Sequence, residues 1–348
     1  MNKNKVVIVI DFHSKHIPGG VATFCRNLMS IRGKYEVIHY CFFNNLLFRK
    51  ENKLWKIINF LTSYRIPAIY FYFLIRKEKP DYCVVNYPCL ARYLGGKTTL
   101  KTKLILIQHQ SAKILKRNRA NFGGYNDIKH ELDKYAAFTV FSDDDKSDYC
   151  NNLNLDNNDS RFFIIPHMSS IPRGIGRANV TNKLLMLARL DNNQKRFDIA
   201  IKAMDLLPEY TLDIYGSGPD EELIKKLISN SKNCNITLHQ YTNELVKVID
   251  QYDCHIMVSD FEGFGLTNIE AISRGIPIVV RNTFPAAAYI SKNVGVLLPE
   301  FATEVDLANG IRKLFSNYYM YKENCILRAN EFSSYNFVSK WESMLHEI

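Results

Sequence analysis

Glu262 and Glu270 stand eight residues apart, and a glycine-bearing turn, Gly263-Phe264-Gly265-Leu266-Thr267, lies between them. The apolar run His255-Ile256-Met257-Val258 precedes the turn and reads as a buried strand; Ala271-Ile272-Ser273-Arg274-Gly275 and a second apolar run, residues 276–280, follow it. The order is therefore strand, turn, helix start, strand. Gly263 and Gly265 let the backbone approach a ligand closely or adopt positive φ. A helix beginning near Leu266 or Thr267 would aim its unpaired N–H groups and its positive dipole end into the turn. That is an anion site, most simply a phosphate site. Two carboxylates beside a phosphate need another task, and accepting hydrogen bonds from sugar hydroxyls is one.

A second constellation supplies positive charge. Residues 183–187 read as a strand; Arg189 leaves its end and Lys195 stands six residues later, near the start of the next helix. Two cations and helix N–H groups around one βα turn suit a diphosphate, the guanidinium as a forked donor and the ammonium as a point charge. Strand 211–215 runs into Gly216-Ser217-Gly218-Pro219, and strand 236–238 ends at His239-Gln240-Tyr241. In the first half, strand 104–107 ends at Gln108-His109-Gln110, the strand end where open α/β sheets place ligand groups. Gly19-Gly20 separates strand 6–10 from a helical pattern over 21–30. It reads equally as a plain turn or as a loop that closes on a phosphate or an acceptor. It does not spell G-x-G-x-x-G, so the dinucleotide fingerprint of a Rossmann oxidoreductase is missing. The run Asp143-Asp144-Asp145 invites a metal reading; the preferred one is that Ser142 caps a helix whose first turn holds the acids.

Strands alternate with helical patterns along the whole chain, which predicts an α/β protein with parallel sheets. A length of 348 residues suggests two domains. We expect an N-terminal domain over 1–172, a C-terminal domain over 173–330, and a final helix over 331–348 carrying Phe337, Trp341 and Leu345. Residues 171–179, with Pro172, Gly174 and Gly176, read as the linker. The 47% hydrophobic content excludes general disorder. The eight cysteines form no C-x-x-C pair, which suits reduced cytoplasmic thiols better than a disulfide frame or a zinc site. Residues 6–10 read as a strand, too short for the apolar core of a leader.

Charge is distributed unevenly. The first 120 residues carry 22 Lys and Arg against 5 Asp and Glu, whereas residues 176–348 carry 18 against 21. A basic first half faces an anionic partner: nucleic acid, an acidic membrane face or an anionic glycan. A nucleic-acid binder would explain the charge but not the paired carboxylates. An amphipathic pattern with basic flanks over 53–62 and the basic run 113–119 are the candidate membrane-surface elements. The run 66–75 falls short of the roughly 20 residues that span a bilayer.

Three motifs in order, Ala188-Arg189-Leu190 with Lys195-Arg196-Phe197-Asp198, then Ile214-Tyr215-Gly216-Ser217-Gly218-Pro219, then Glu262-Gly263-Phe264-Gly265-Leu266 to Glu270-Ala271, resemble the nucleotide-binding half of glycosyltransferase family 4. The last is that family's E-x7-E motif. The resemblance implies the GT-B architecture: two Rossmann-like parallel-sheet domains facing across a cleft, the first for the acceptor and the second for the nucleotide-sugar, with the final helix crossing back to the first. It implies a retaining glycosyltransferase that uses a nucleotide-diphosphate sugar, by resemblance a UDP-sugar, and needs no metal or other cofactor. Arg189 and Lys195 would bind the diphosphate and Glu270 the ribose. The backbone around Gly263, Phe264, Gly265, Leu266 and Thr267 would hold phosphate or sugar, with Gly216 and Tyr241 lining the nucleotide. Glu262 would hold the donor sugar, His109 would stand on the sugar or acceptor side, and Gly19-Gly20 would close over the diphosphate or admit the acceptor.

The acceptor expected on this reading is a surface polysaccharide, a teichoic-acid-like polymer or a lipid-linked glycan, reached from the cytoplasm at the inner face of the membrane. The alternative is a non-catalytic subunit of the same shape that only binds glycan or a partner. Two segments depart from the family pattern. Arg281-Asn282-Thr283-Phe284-Pro285-Ala286 lacks a Gly-Pro-x-Glu, and Gln108-His109-Gln110 replaces a His-Asp-like pair.

Overall fold

A computed structural model describes residues 5–11, 20–41, 73–86, 101–107, 109, 132–153, 155–233 and 235–348. The segments 53–62 and 113–119, and Gly19, lie outside the described residues. The chain divides into two units, Met1–Pro166 with Phe337–Ile348, and His167–Asn336.

The first unit is built on a six-stranded sheet of β1 (Lys5–Asp11), β2 (Tyr35–Cys41), β3 (Tyr82–Val85), β4 (Lys103–Ile107), β5 (Tyr135–Val140) and β6 (Phe162–Ile164), in the order β2-β1-β3-β4-β5-β6. Every neighbouring pair is parallel. Cys83, Val84, Val85, Ile105, Ile107 and Ala137 are fully buried, as expected of parallel strands covered on both faces. Helix α1 (Gly20–Leu28) buries Ala22, Phe24, Cys25 and Leu28. Helix α2 (Asp143–Leu153) follows β5. Ser142 Oγ accepts from the Asp145 N–H at 3.1 Å, and the Asp145 carboxylate reaches back to the Phe141 N–H at 3.0 Å. This reciprocal cap accounts for two helix-start donors, and burial pushes the Asp145 carboxyl up to about 7.

The second unit carries β7 (Lys183–Leu187), β8 (Thr211–Gly216), β9 (Ile236–Gln240), β10 (Cys254–Met257), β11 (Ile278–Arg281) and β12 (Gly295–Leu298) in the order β12-β11-β10-β7-β8-β9, again with every neighbouring pair parallel. Its helices are α3 (Asn192–Lys195), α4 (Phe197–Met204), α5 (Glu221–Ser229), α6 (Leu245–Ile249), α7 (Leu266–Ser273), α8 (Ala286–Ser291), α9 (Glu304–Ser316) and α10 (Tyr318–Arg328). One core joins Leu184, Met186, Leu212 and Ile214 of the strands to Phe197, Ala200, Ile201 and Met204 of α4 and to Leu307, Ile311 and Leu314 of α9. Thr303 starts α9 with a full capping box: its side chain accepts from Asp306 N–H, and the Asp306 carboxylate accepts from Thr303 N–H. Pro172 to Gly176, expected to be linker, is bound to this unit. The Gly174 N–H donates to Ser273 O at 2.8 Å, and Arg274 Nη1 donates to the carbonyls of Pro172 and Arg173.

In this second sheet β7 is followed by β8 on one side, while its other neighbour, β10, is followed by β11 on the far side. The connections leaving the carboxyl ends of β7 and β10 therefore diverge, and the crevice between them is where a doubly wound sheet binds its ligand. In the first sheet the same reversal falls between β1 and β3.

The last helix, α11 (Ser334–Glu347), buries Phe337, Trp341, Met344 and Leu345, a stripe at helical spacing. From Phe337 onward it belongs to the first unit. There Phe24 meets Phe337 and Trp341 with ring centroids 6.2 and 6.1 Å apart, and Tyr82 Oη donates to Leu345 O at 2.6 Å. The crossing back expected for the final helix is thus present. Among the described residues no helix is long and apolar enough to cross a membrane. Trp341 is 1% exposed. Trp341→Ala should cost about 3–5 kcal/mol of stability, read as a lower urea midpoint, whereas the exposed Tyr335→Ala should leave the midpoint unchanged.

Candidate active site

The connection after β7 and the connection after β10 are fastened residue to residue at the crevice. The Asp260 N–H donates to Gln194 O at 2.8 Å, and Gln194 Nε2 donates to Phe261 O at 3.1 Å. Lys195 Nζ forms an ion pair with Glu262 Oε1. Arg196 Nη1 contacts both Asp260 oxygens at 3.3 Å. Three consecutive residues, 194–196, thus hold three consecutive residues, 260–262. The Lys195 and Glu262 side chains are 13% and 11% exposed, and Ser259 Oγ also donates to Glu262 Oε1 at 2.7 Å.

Local sequence explains how each group is presented. Lys195 closes the one-turn helix α3. Glu262 sits in the turn between β10 and α7, whose N-cap, Gly265, has φ 80° and ψ 59°. A side chain is strained in that region, and a Cβ there would also meet Asn268 Nδ2 at 2.9 Å. Helix α7 begins at Leu266, so the N–H groups of its first turn open toward the turn that carries Glu262. Phe264 is buried, its ring edge-on to His167 with centroids 5.1 Å apart. Under the turn, His255 Nδ1 and Asn268 Oδ1 are 2.9 Å apart and Asn268 Nδ2 meets Met257 Sδ at 3.1 Å. This buried pair ties β10 to the first turn of α7.

Glu270 lies on the next turn of α7 and is 5% exposed. Ser170 Oγ donates to its Oε1 at 2.5 Å. Burial raises the Glu270 carboxyl above its usual range, and the serine hydrogen bond opposes that rise. The Thr267 Oγ1 atom is buried, with no hydrogen-bond partner among the described residues.

The other residues singled out in the sequence are placed as follows. Arg189 is exposed on the connection after β7, and among the described residues its side chain makes no hydrogen bond or ion pair. Gly216 lies against the chain itself: a Cβ there would stand 2.0 Å from Ala188 O. With Leu190 N–H on Ser217 O at 3.0 Å and Asp220 N–H on Leu190 O at 3.0 Å, the Gly216-Ser217-Gly218-Pro219 turn supports the connection that carries Arg189. Tyr241 is 50% exposed and donates to Asn243 Oδ1 at 2.7 Å; among the described residues it makes no hydrogen bond to Lys195 or Glu262. His109 and Gly20 belong to the first unit. His109 Nε2 is 2.7 Å from Asn86 Oδ1, and its ring meets Phe24 edge-on at 5.0 Å. Burial pushes its pKa down to about 3, so it is neutral near pH 7.

Sequence reading missed several contributors. Gln194, Ser259, Asp260 and Arg281 all join the fastening, Arg281 through a 2.5 Å contact from Nη1 to Asp260 Oδ1. Asp260 and Arg281 carry a legible signal, Asp260 being a charge shortly after an apolar strand and Arg281 the charge that ends one. Ser170 carries none, since it lies 100 residues from Glu270.

The arrangement offers cations and helix N–H groups for an anion, and carboxylates for hydroxyls, at one switch point. Residues 169–332 match the family model of glycosyl transferases group 1. Poly(glycerol-phosphate) alpha-glucosyltransferase of Bacillus subtilis (strain 168) is 31% identical over 200 residues, which is 54% of this chain and 29% of that protein. The GtfA subunit of UDP-N-acetylglucosamine–peptide N-acetylglucosaminyltransferase from Streptococcus pneumoniae is 37% identical over 90 residues, 25% of this chain and 18% of that one. The chain therefore spans less than a third of the length of these curated relatives. Over the whole fold, the lipopolysaccharide outer core galactosyltransferase WaaB in its apo form is similar with a TM-score of 0.78, 16% identity and 99% of each chain covered. The fold is that of the GT-B proteins.

His255 is wholly buried, and burial pushes its pKa from 6.5 down to about 4. The unfolded chain then binds a proton that the folded one refuses, so this part of the stability is present above pH 6.5 and is lost as the pH falls toward 4. Urea unfolding between pH 6 and pH 4.5 should show a loss of roughly 1 kcal/mol per pH unit from this residue. His255→Gln should flatten the slope by that amount.

Proposed function

We propose that the protein is a retaining glycosyltransferase. It moves a sugar from a nucleotide-diphosphate sugar, taken to be a UDP-sugar, to a surface polysaccharide, teichoic-acid-like or lipid-linked glycan acceptor. The observation that carries the reading is the Lys195–Glu262 pair at the switch point, beside the N-terminus of α7. Arg189 and Lys195 bind the diphosphate and offset the charge that grows on it as the leaving group departs, the work a divalent ion does elsewhere. No metal is required on this reading. The α7 N–H groups near Leu266 and Thr267 share the phosphate oxygens. Glu270 accepts from the ribose hydroxyls in place of Ser170, and Glu262 accepts from the sugar hydroxyls.

In the transfer, the bond between the anomeric carbon and the phosphate oxygen breaks and the acceptor hydroxyl oxygen bonds to the same face of that carbon. The acceptor proton passes to the leaving phosphate. On this reading His109, neutral near pH 7, serves the sugar or the acceptor. The names of the relatives support the substrate classes: one acts on poly(glycerol-phosphate), another is named for UDP-N-acetylglucosamine. The basic first half suits a phosphate-bearing acceptor or the anionic cytoplasmic leaflet, and on this reading the enzyme works in the cytoplasm at the membrane surface.

The test is a thermal-shift screen of nucleotide-sugars. A donor at a hundred times its Kd should stabilise the protein by about 2.7 kcal/mol, a shift of several degrees. Glu270→Ala should shrink that shift, and Lys195→Ala should lower transfer by roughly 10²–10³-fold. No shift with any nucleotide-sugar overturns the reading. Donor binding with neither hydrolysis nor transfer returns the protein to the non-catalytic alternative.

A further inference from the structure

Arg196 has φ 56° and ψ 48°, in the left-handed region. An L side chain with a Cβ is disfavoured there, and glycine is the residue that takes the conformation without strain. The bend is needed: it ends α3 at Lys195 and starts α4 at Phe197, with the Arg196 N–H on Asn192 O at 3.0 Å and the Asp198 N–H on Asn192 Oδ1 at 3.0 Å. The local backbone thus asks for glycine and the chain supplies arginine.

The guanidinium explains the choice. Its Nε and Nη2 fork onto Asp198 at 3.0 and 2.9 Å, while Nη1 faces Asp260. Asp260 is held from the other side by Arg281, which is 7% exposed and also donates from Nε to Glu300 O at 2.6 Å. Arg196, one residue beyond Lys195, therefore bridges the connection after β7 to Asp260 on the connection after β10, two residues before Glu262. Asp198 fixes the guanidinium plane, and Asp260 passes the restraint to the turn that ends in Gly265.

We propose that Arg196 is a positioning residue for the donor site. Its strained backbone is retained because the guanidinium holds Lys195 and Glu262 in register through Asp260. The inference rests on the reading of Lys195 as the diphosphate cation, and it gives a function to an arginine whose guanidinium is engaged by Asp198 and Asp260. A lysine would not replace it, since a point charge cannot fork onto Asp198 while reaching Asp260.

Glycine separates the two effects at this position. Arg196→Gly removes both the strain and the bridge; Arg196→Ala removes the bridge and keeps the strain. On the proposal both variants raise the donor KM by a similar factor, about tenfold. Their melting temperatures diverge, with Arg196→Gly several degrees above Arg196→Ala. If the arginine served stability alone, KM would stay at the wild-type value in Arg196→Gly or follow the melting temperature, and either result overturns the proposal. Hydrogen exchange provides a readout without substrate. The Asp260 amide, bound to Gln194 O, should lose protection at least tenfold in Arg196→Gly, and unchanged protection also overturns the proposal. A wild-type protein that binds no nucleotide-sugar would refute the reading of the site, and the exchange result would still decide the role of Arg196.

Discussion

The second unit depends on the fastening between residues 194–196 and residues 260–262. Two connections leave neighbouring parallel strands and turn to opposite sides of the sheet, so nothing in the strand ladder keeps their tips together. What does so is a short array of unlike bonds: the Asp260 N–H on Gln194 O, the Gln194 side chain on Phe261 O, and two ion pairs, Lys195 with Glu262 and Arg196 with Asp260. The two bonds of Gln194 fix the spacing and the ion pairs fix the orientation. Because these pairs are part-buried they are screened less than surface pairs, and each partner left alone would be costly.

The same array sets what the site can bind. Lys195 is held by a carboxylate, and so is a cation already satisfied by an oxygen anion. A diphosphate offers it the same chemistry with more charge, while sugar hydroxyls offer Glu262 replacement donors. Ser170 stands to Glu270 in the same relation, filling the acceptor with a hydroxyl of the chain. Arg189 differs, since its exposed guanidinium makes no bond or ion pair among the described residues. On the proposed reading a donor would exchange partners at three points and gain a new one at the fourth. Such exchange leaves no buried charge unpaired, which is the condition for binding a charged donor without a large desolvation penalty.

Much of the architecture was legible in the sequence. Apolar runs such as Leu184–Leu187 and Ile256–Val258 read as covered strands because parallel strands bury both faces, and the helix start at Leu266 followed from the glycines before it. Strand β12 was not read, since Gly295–Leu298 is four residues with one exposed leucine at a sheet edge. Helices α9 and α10 were passed over although Thr303 and Asp306 spell a capping box. Arg189, Lys195, Glu262 and Glu270 were singled out as charges beside a strand end or a helix start, and the fold brings two of them, Lys195 and Glu262, into contact. Gly216, which the resemblance sets beside the nucleotide, packs against Ala188 of the same chain, a contact that no local pattern announces. Ser170, Gln194 and Ser259 carry no local pattern; only the fold brings them to their partners.

The most direct measurement is a crystal structure of the protein with UDP. The account predicts the diphosphate at the N-terminus of α7 between Arg189 and Lys195, with the Lys195–Glu262 pair opened and the ribose hydroxyls on Glu270. UDP bound elsewhere, or bound with the Lys195–Glu262 and Ser170–Glu270 contacts intact, would contradict it.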